Sequence, residues 1–326
     1  MPQYDLAIII ISWNVRDLLR TCIQSILNNI HGLTYRITVV DNASSDGTIA
    51  MLQNEFPDVL CLRNIENVGF ASANNQALRE SQARHVLLLN PDTLVVGDAL
   101  KTMVEFADTR DEIGLIGPRL QSPDGKIQYV CARSFPTAVN WFWHYCFIGR
   151  VLSGNRVFGR LLLSFWDHLD SRAVEAITGA AMLIPKRTLE QVGVLDETHP
   201  MYLEDVDYCR RVWMAGKEIW YLSDAVIIHY GGQSSSQVSW KTKLLSLDAH
   251  RIFFDRYGSW IDKKLFRPLV VLVSLIRLSV FCFARLASIF RPNGIQSFTN
   301  QIRNELKALL WGIHAIKAPK MEAIKA

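Results

Sequence analysis

Four stretches of this chain place reactive side chains where chemistry could use them. Asn90-Pro91-Asp92 follows directly on the apolar run Val86-Leu87-Leu88-Leu89. That run is bounded by turn residues and is too short to cross a membrane, so it predicts a fully buried strand. Pro91 cannot donate to a ladder and pushes Asn90 out of helical geometry, which ends the strand. Asn90 and Asp92 then stand at the carboxyl end of a buried strand, where open α/β sheets bind ligands; the same tripeptide also marks ordinary turns. Glu204-Asp205-Val206-Asp207 puts three acids at the start of a helix. Acids there complement the macrodipole, and a carboxylate so placed is also a natural catalytic group. Asp41, in Asp41-Asn42-Ala43-Ser44-Ser45-Asp46-Gly47-Thr48, closes a second strand, a place from which an acid commonly bonds the base or ribose of a nucleotide. His229 ends a further strand; a lone histidine there is more often structural than a ligand.

The elements that must position these groups follow a β-α-β rhythm. Leu6 to Ile11 predicts a doubly covered strand ending in Ser12-Trp13-Asn14, and Leu18, Leu19, Cys22, Ile23 and Ile26 share one helical face after it. Tyr35 to Val40 is the second strand, so an open parallel sheet with right-handed crossovers is expected. No P-loop and no strand-linked G-x-G-x-x-G occurs, which removes the main support for those nucleotide-binding classes. Val59 to Leu62 is a third strand. Asn67-Val68-Gly69-Phe70 leads into a small-residue helix, with Gly69 permitting close approach and Asn67 or Ser72 available as a cap. An ordinary helix is expected around Asp98 to Phe106, a strand at Ile113 to Ile116 and a tight turn at Ser122-Pro123-Asp124-Gly125. Ile177 to Pro185 reads as one strand opened by Gly179 and Ala180, as expected where a substrate passes close to backbone. Ile219 to Leu222 and Ala225 to Ile228 read as two more strands, and Gly231 to Ser236 as a mobile loop.

The chain has 326 residues, 49% hydrophobic content, a mean hydropathy of +0.11 and a net charge of only +4, so nothing global points to nucleic acid. Its six scattered cysteines contain no C-x-x-C pair and are expected to be reduced thiols, neither a disulfide framework nor a zinc site. The N-terminal region lacks a basic segment, and Leu6 to Ile11 is short for a signal sequence, so the catalytic part is expected in the cytoplasm. From Phe135 to Trp166, aromatic residues interleave with Arg150, Arg156 and Arg160. They suit a membrane-water interface and equally the core of an inserted helical pair. In the apolar stretch Pro268 to Phe290, Arg267, Ser274, Arg277, Arg285, Ser288 and Arg291 fall within an arc of about 120°. A span would bury Arg277 and Arg285 at roughly 2.5 to 3.5 kcal/mol each. A helix lying in the interface is therefore expected, aided by Lys263 and Lys264; packing back on the catalytic domain is the alternative. Ile302 to Ile316 predicts a second amphipathic helix, and the tail after Pro319 is expected to be disordered.

Taken in order, Asp41 to Thr48, Asn67 to Phe70, Leu88-Leu89-Asn90-Pro91-Asp92-Thr93, Gly179-Ala180-Ala181-Met182-Leu183 and Glu204 to Asp207 resemble glycosyltransferase family 2, the inverting enzymes with the glycosyltransferase-A fold. Within that family they look most like bacterial rhamnosyltransferases, over Ile8 to about Ser236. The resemblance implies an α/β, Rossmann-like fold with a mostly parallel central sheet: a catalytic domain at 1–240 with an insertion at 135–170, and C-terminal amphipathic membrane-associating helices at 241–326. It implies a nucleotide-sugar site of Ser12, Asn14, Asp41, Asn42, Asn67, Gly69, Asn90 and Asp92, with Gly179 and Ala180 on the acceptor side. Asn90-Pro91-Asp92 stands where the family has its Asp-x-Asp metal motif, with a neutral oxygen donor replacing the first acid. Asp92 and His229 would hold a divalent cation, Mn2+ or Mg2+, and Asp205 would be the general base with Glu204 beside it. The implied reaction moves a sugar, rhamnose by resemblance, from dTDP-rhamnose or a UDP-sugar to a polyprenyl-diphosphate-linked glycan for cell-surface polysaccharide. The enzyme would sit peripherally on the cytoplasmic face of the inner or plasma membrane. A nucleotidyltransferase, or a non-catalytic membrane-tethered assembly subunit that kept the fold, are the alternatives.

Overall fold

The computed structural model describes residues 2–198, 202–231, 239–287, 295–314 and 316–318. In chain order the elements are β1 (Tyr4–Ser12), α1 (Arg16–Asn29), β2 (Tyr35–Asp41), α2 (Thr48–Glu55), β3 (Leu60–Arg63), α3 (Phe70–Glu80), β4 (Ala83–Leu89), β5 (Thr93–Val95), α4 (Ala99–Ala107) and β6 (Ile113–Gln121). There follow β7 (Ala132–Arg133), α5 (Ala138–Tyr145), α6 (Ile148–Val151), β8 (Arg172–Ala173), β9 (Ala176–Ile177), β10 (Ala181–Pro185), α7 (Lys186–Val192), α8 (Glu204–Met214), β11 (Glu218–His229), α9 (Ser239–Tyr257), α10 (Trp260–Ala287) and α11 (Ile295–Gly312). They divide into two compact units. The first comprises Met1–Phe135, Trp166–His199 and Glu204–Ser234; the second comprises Pro136–Phe165, Pro200–Leu203 and Ser235–Ala326.

The first unit is an α/β domain on a mixed, mostly parallel sheet of order β3-β2-β1-β4-β10-β6-β11-β5, with β8 paired to β11. Strands β1, β2, β3 and β4 are mutually parallel, as the β-α-β rhythm requires. Leu6, Ile8, Ile9 and Ile10 are all within 1% of fully buried, as a strand covered on both faces should be. Leu19, Cys22, Ile23 and Ile26 form the buried face of α1. The apolar run ahead of Asn90 is β4, with Val86 to Leu89 no more than 3% exposed. Antiparallel β10 lies between β4 and β6.

Three departures from the sequence reading shape the site. After Pro91 the chain re-enters the sheet as β5, pairing antiparallel with the end of β11 in the register His229↔Thr93. The two strands expected at Ile219 to Leu222 and Ala225 to Ile228 are one, β11, whose pairing with β6 shifts register between Leu222 and Val226. Such a shift absorbs extra residues without ending the strand. The strand expected from Ile177 to Pro185 is broken, since Ala176–Ile177 pairs with β7 as a separate ribbon and β10 starts only at Ala181. Thr178, Gly179 and Ala180 lie in the break. Helix α7, after Pro185, was not expected from the sequence.

The second unit is helical. Helix α5 opens with a capping box between Thr137 and Asn140, which satisfies two otherwise orphaned donors. Trp141 is buried, 5.1 Å from the Phe266 ring and 4.7 Å from that of Tyr145. This part of the aromatic insertion is therefore core. Helix α10 starts at Trp260, earlier than expected, and its polar stripe corrects the sequence reading. Ser274 is 1% exposed, Arg267 donates to the Trp311 carbonyl at 2.6 Å, and Arg277 pairs with Glu305, which also holds Lys243. The stripe faces protein because buried charges need partners, and α9 and α11 supply them. The second amphipathic helix, α11, ends at Gly312. Ser288, Arg291, Gly232 to Ser236 and the tail after Pro319 lie outside the described residues, apart from Pro319's preceding segment 316–318.

Candidate active site

The first strand ends of the sheet carry a cluster of buried polar residues. Ser12 and Asp41 are register partners on β1 and β2, 0% and 3% exposed. Asp41 Oδ2 accepts from the Ser44 amide at 3.1 Å, but Asp41 Oδ1 and Ser12 Oγ are sealed from solvent with no hydrogen-bond partner among the described residues. Two adjacent unsatisfied oxygens at a strand end are costly unless something bonds them. The other polar residues here are already occupied. Asn14, at φ 53°, accepts from the Ser45 amide at 2.8 Å. Asn42 donates to the Gly69 carbonyl at 3.3 Å and accepts from Asn64 at 2.8 Å. Asn67 accepts from the Gly69 amide at 3.0 Å. Gly69 itself sits at φ 90°, a backbone conformation that favours glycine. These four residues hold the loops that adjoin Ser12 and Asp41.

At the end of β4, the backbone turn brings Asp92 against His229. Asp92 is 7% exposed and His229 9%. Gln128, which the sequence reading missed, sets the chemistry of that histidine. Its amide nitrogen donates to the His229 carbonyl at 2.7 Å and to Ser122 Oγ at 3.2 Å. Its Oε1, 2.8 Å from His229 Nδ1, must therefore accept, so the neutral imidazole carries its proton on Nδ1 and a lone pair on Nε2. That Nε2 lies 3.4 Å from Asp92 Oδ1, yet it is buried and makes no aligned hydrogen bond among the described residues. Two electron-rich atoms facing each other call for a positive charge between them. One carboxylate oxygen and one imidazole nitrogen fit a divalent cation of the Mn2+ or Mg2+ type. Among the described residues no third His, Cys, Asp or Glu joins them, so further ligands would have to come from substrate oxygens or water. Cys22 approaches the Asn90 carbonyl at 3.7 Å, and burial pushes its thiol up to about 12, which leaves it an inert packing group.

Of the two residues expected on the acceptor side, Gly179 meets Asp205. Its Oδ2 accepts from Arg133 Nη2 at 2.6 Å and from the Gly179 amide at 2.9 Å, and its Oδ1 accepts from the Val206 amide at 2.8 Å. Arg133, on β7, was also missed from sequence; a two-residue strand leaves no periodic signal. A Cβ on Gly179 would lie 3.4 Å from Asp205 Cβ and 3.6 Å from the Phe70 ring, in ordinary van der Waals contact. Glu204 Oε2 is sealed and unpartnered among the described residues, although the residue as a whole is only half-buried. Burial first, and the charge of Asp205 second, push its carboxyl well above the usual range. Asp207, 0% exposed, is held by Arg211 at 2.9 Å and anchors the helix face. Tyr202 and Leu203, just ahead of α8, adopt φ of 70° and 62°, a strained pair that persists only where surrounding structure enforces it.

One run of bonds joins these groups. Asp205 holds the Gly179 amide, and the next carbonyl, of Ala180, accepts from the Asn90 amide at 2.9 Å. Two residues on is Asp92, whose carbonyl accepts from the Tyr230 amide beside His229 at 2.9 Å.

Comparisons with known proteins point to one family. Residues 7–159 match the family model described as glycosyl transferase family 2. The chain is 25% identical over 253 residues to the N-acetylglucosaminyl-diphospho-decaprenol L-rhamnosyltransferase of Mycobacterium tuberculosis H37Rv, covering 69% of this chain and 76% of that one. It is 24% identical over 294 residues to the rhamnosyltransferase WbbL of Escherichia coli K12, covering 87% and 99%. Among solved structures, a mannosyltransferase from Pyrobaculum calidifontis, in complex with GDP-Man and Mn2+, superposes with a TM-score of 0.59 at 14% identity, over 97% of this chain and 90% of that one; the likeness extends to the fold. Residues 7–159 of this chain thus match glycosyltransferase family 2, and the two rhamnosyltransferase relatives point the same way.

Proposed function

We propose that the chain is an inverting, metal-dependent rhamnosyltransferase that transfers the sugar from a nucleoside diphosphate donor to a polyprenyl-diphosphate-linked glycan. The observation that carries this reading is the run of bonds from Asp205 through Gly179, Ala180 and Asn90 to Asp92 and His229. It sets a proton acceptor and a cation-binding pair along one short stretch of backbone. Ser12 Oγ and Asp41 Oδ1, unsatisfied at adjacent strand ends, bond the nucleoside. Asp92 and His229 Nε2 hold the divalent cation, with Asn90 beside them as a neutral oxygen donor. When bound, that cation neutralises charge on the departing diphosphate.

Asp205 takes the proton from the acceptor hydroxyl as it attacks the anomeric carbon. Attack from the face opposite the leaving group inverts that carbon with no covalent intermediate. Arg133 and the Gly179 amide fix the carboxylate in place. Glu204, held neutral by burial, adds no second negative charge beside it. The choice of rhamnose, from dTDP-rhamnose, and of a lipid-linked acceptor in cell-surface polysaccharide synthesis follows the two rhamnosyltransferase relatives, one of which acts by its name on a decaprenyl diphosphate sugar. Such an acceptor places the enzyme peripherally at the cytoplasmic face of the membrane.

The test is incubation of the full-length protein in membranes with a panel of labelled nucleotide sugars, with and without chelator. Chelator-sensitive transfer of rhamnose to lipid is the expected result. Transfer of a different sugar overturns the donor assignment, and transfer indifferent to chelator overturns the cation.

A further inference from the structure

The charge of this chain is unevenly divided. Residues of the first unit include seventeen Lys and Arg against twenty-six Asp and Glu, a net of −9; those of the second include eighteen against five, a net of +13. The second unit also contains an amphipathic helix whose apolar side faces outward. On α10, Ile261, Leu265, Leu272, Leu275 and Phe283 are between 41% and 75% exposed. At about 100° per residue these positions fall within an arc of about 80°, and at about 1.5 Å per residue they run for about 33 Å. The opposite side, carrying Phe266, Val270, Ser274 and Arg277, is buried against other helices of the unit. Trp260, 69% exposed, stands at the start of the stripe with Lys264 Nζ 5.5 Å from its ring.

We propose that this outward stripe of α10 is the surface with which the protein enters an anionic lipid bilayer, the helix lying in the plane of the interface. The inference rests on the membrane reading above and deepens it, since it names the face that meets lipid. Exposed aliphatic and aromatic side chains in a continuous line fit the acyl boundary. Trp260 and Lys264 suit the headgroup level, where an indole and an ammonium keep their polar ends wet. A unit of net charge +13 is attracted to anionic headgroups and repelled by a second copy of itself, which favours lipid over self-association as the occupant. The helix is long and apolar enough to cross a membrane. However, its inner face carries the Lys243–Glu305–Arg277 group, which a crossing helix would carry into hydrocarbon together with α9 and α11. An in-plane helix leaves those charges on the water side.

The experiment uses the full chain with vesicles of phosphatidylcholine alone or mixed with phosphatidylglycerol, and no sugar acceptor. The parent should co-float with the anionic vesicles, less so at high salt. L272E with L275E should lower partitioning at least about tenfold, because two exposed leucines of the stripe are then charged. K263E with K264E should lower it about tenfold on anionic vesicles and leave binding to neutral ones unchanged. Cys282, the one exposed cysteine of the six and the neighbour of Phe283, gives a reading on the unaltered fold. An environment-sensitive dye there should shift to the blue on anionic vesicles. The proposal is overturned by any of three results: L272E/L275E partitioning like the parent, a dye at Cys282 indifferent to vesicles, or a lipid-independent dimer that L272E/L275E dissolves. Transfer to a water-soluble acceptor analogue, measured in parallel, separates the two readings. Stripe-dependent vesicle binding by a protein that transfers no sugar defeats the functional reading alone. Sugar transfer without vesicle binding defeats the stripe alone.

Discussion

One buried polar cluster in each unit makes an instructive pair. In the sheet unit, Ser12 Oγ, Asp41 Oδ1 and His229 Nε2 are buried and unpartnered among the described residues. In the helical unit, the 2%-exposed carboxylate of Glu305 bridges Lys243 and Arg277. A buried charge left alone is expensive, so a protein either pairs it within the fold or keeps it for a ligand. The Glu305 group is the first case, and the atoms at Ser12, Asp41 and His229 are candidates for the second. The net charge of +4 conceals the same division, since it is the sum of an acidic unit and a strongly basic one.

Substitutions in each unit can break or sharpen this contrast. D205N should lower sugar transfer by about 10^2 to 10^4-fold, the usual contribution of a general base, with nucleotide-sugar affinity near that of the parent. Unchanged turnover would remove Asp205 from the chemistry. In the helical unit, E305L leaves the half-buried Lys243 and Arg277 without their common partner and should cost up to about 3 kcal/mol of stability in thermal or denaturant unfolding. A loss under about 1 kcal/mol would mean that the group contributes no more than a surface pair does.

Q128A frees the His229 ring and its tautomer. It should weaken Mn2+ binding about 10 to 100-fold by titration calorimetry, the usual effect of removing a group that orients a metal-ligating histidine; equal affinity would show that Gln128 does not govern the ring. The last effect concerns Glu204. Because burial raises its folded value, pushed up to about 8, the folded state holds this proton more tightly than the unfolded chain. That contribution to stability is complete below the ordinary glutamic acid range and is lost as pH rises toward 8. E204Q should flatten that fall, and unfolding curves that descend in parallel for both proteins would show that Glu204 is charged in the fold.

Much of the sheet unit was legible in sequence because its signals are local. Apolar runs ending in Ser12, Asp41 and Asn90 mark strand ends directly, and those ends carry the site. The contacts that complete it are not local. Asp92 meets His229 only because three residues, Thr93 to Val95, pair with the far end of β11, and so short a strand has no period to detect. Gln128 and Arg133 reach the site through turns and a two-residue ribbon. Helix α9 escaped because Lys241, Lys243, Asp248, His250 and Arg251 are distributed around it and obscure any apolar face. On α10 the helical period correctly grouped the polar residues, but a period gives only the angle between two faces. Which face meets protein depends on partners such as Glu305, 28 positions away from Arg277.

The break between β9 and β10 has a consequence for specificity. Asp205 is fastened to the Gly179 amide and Asn90 to the Ala180 carbonyl, so the proposed donor and acceptor halves of the site grip consecutive residues of one chain. Their Cα atoms are about 3.8 Å apart whatever the side chains around them do. On that proposal the backbone at this break sets part of the spacing between donor and acceptor, and an insertion or deletion here would alter it more than packing changes in α3 or α8.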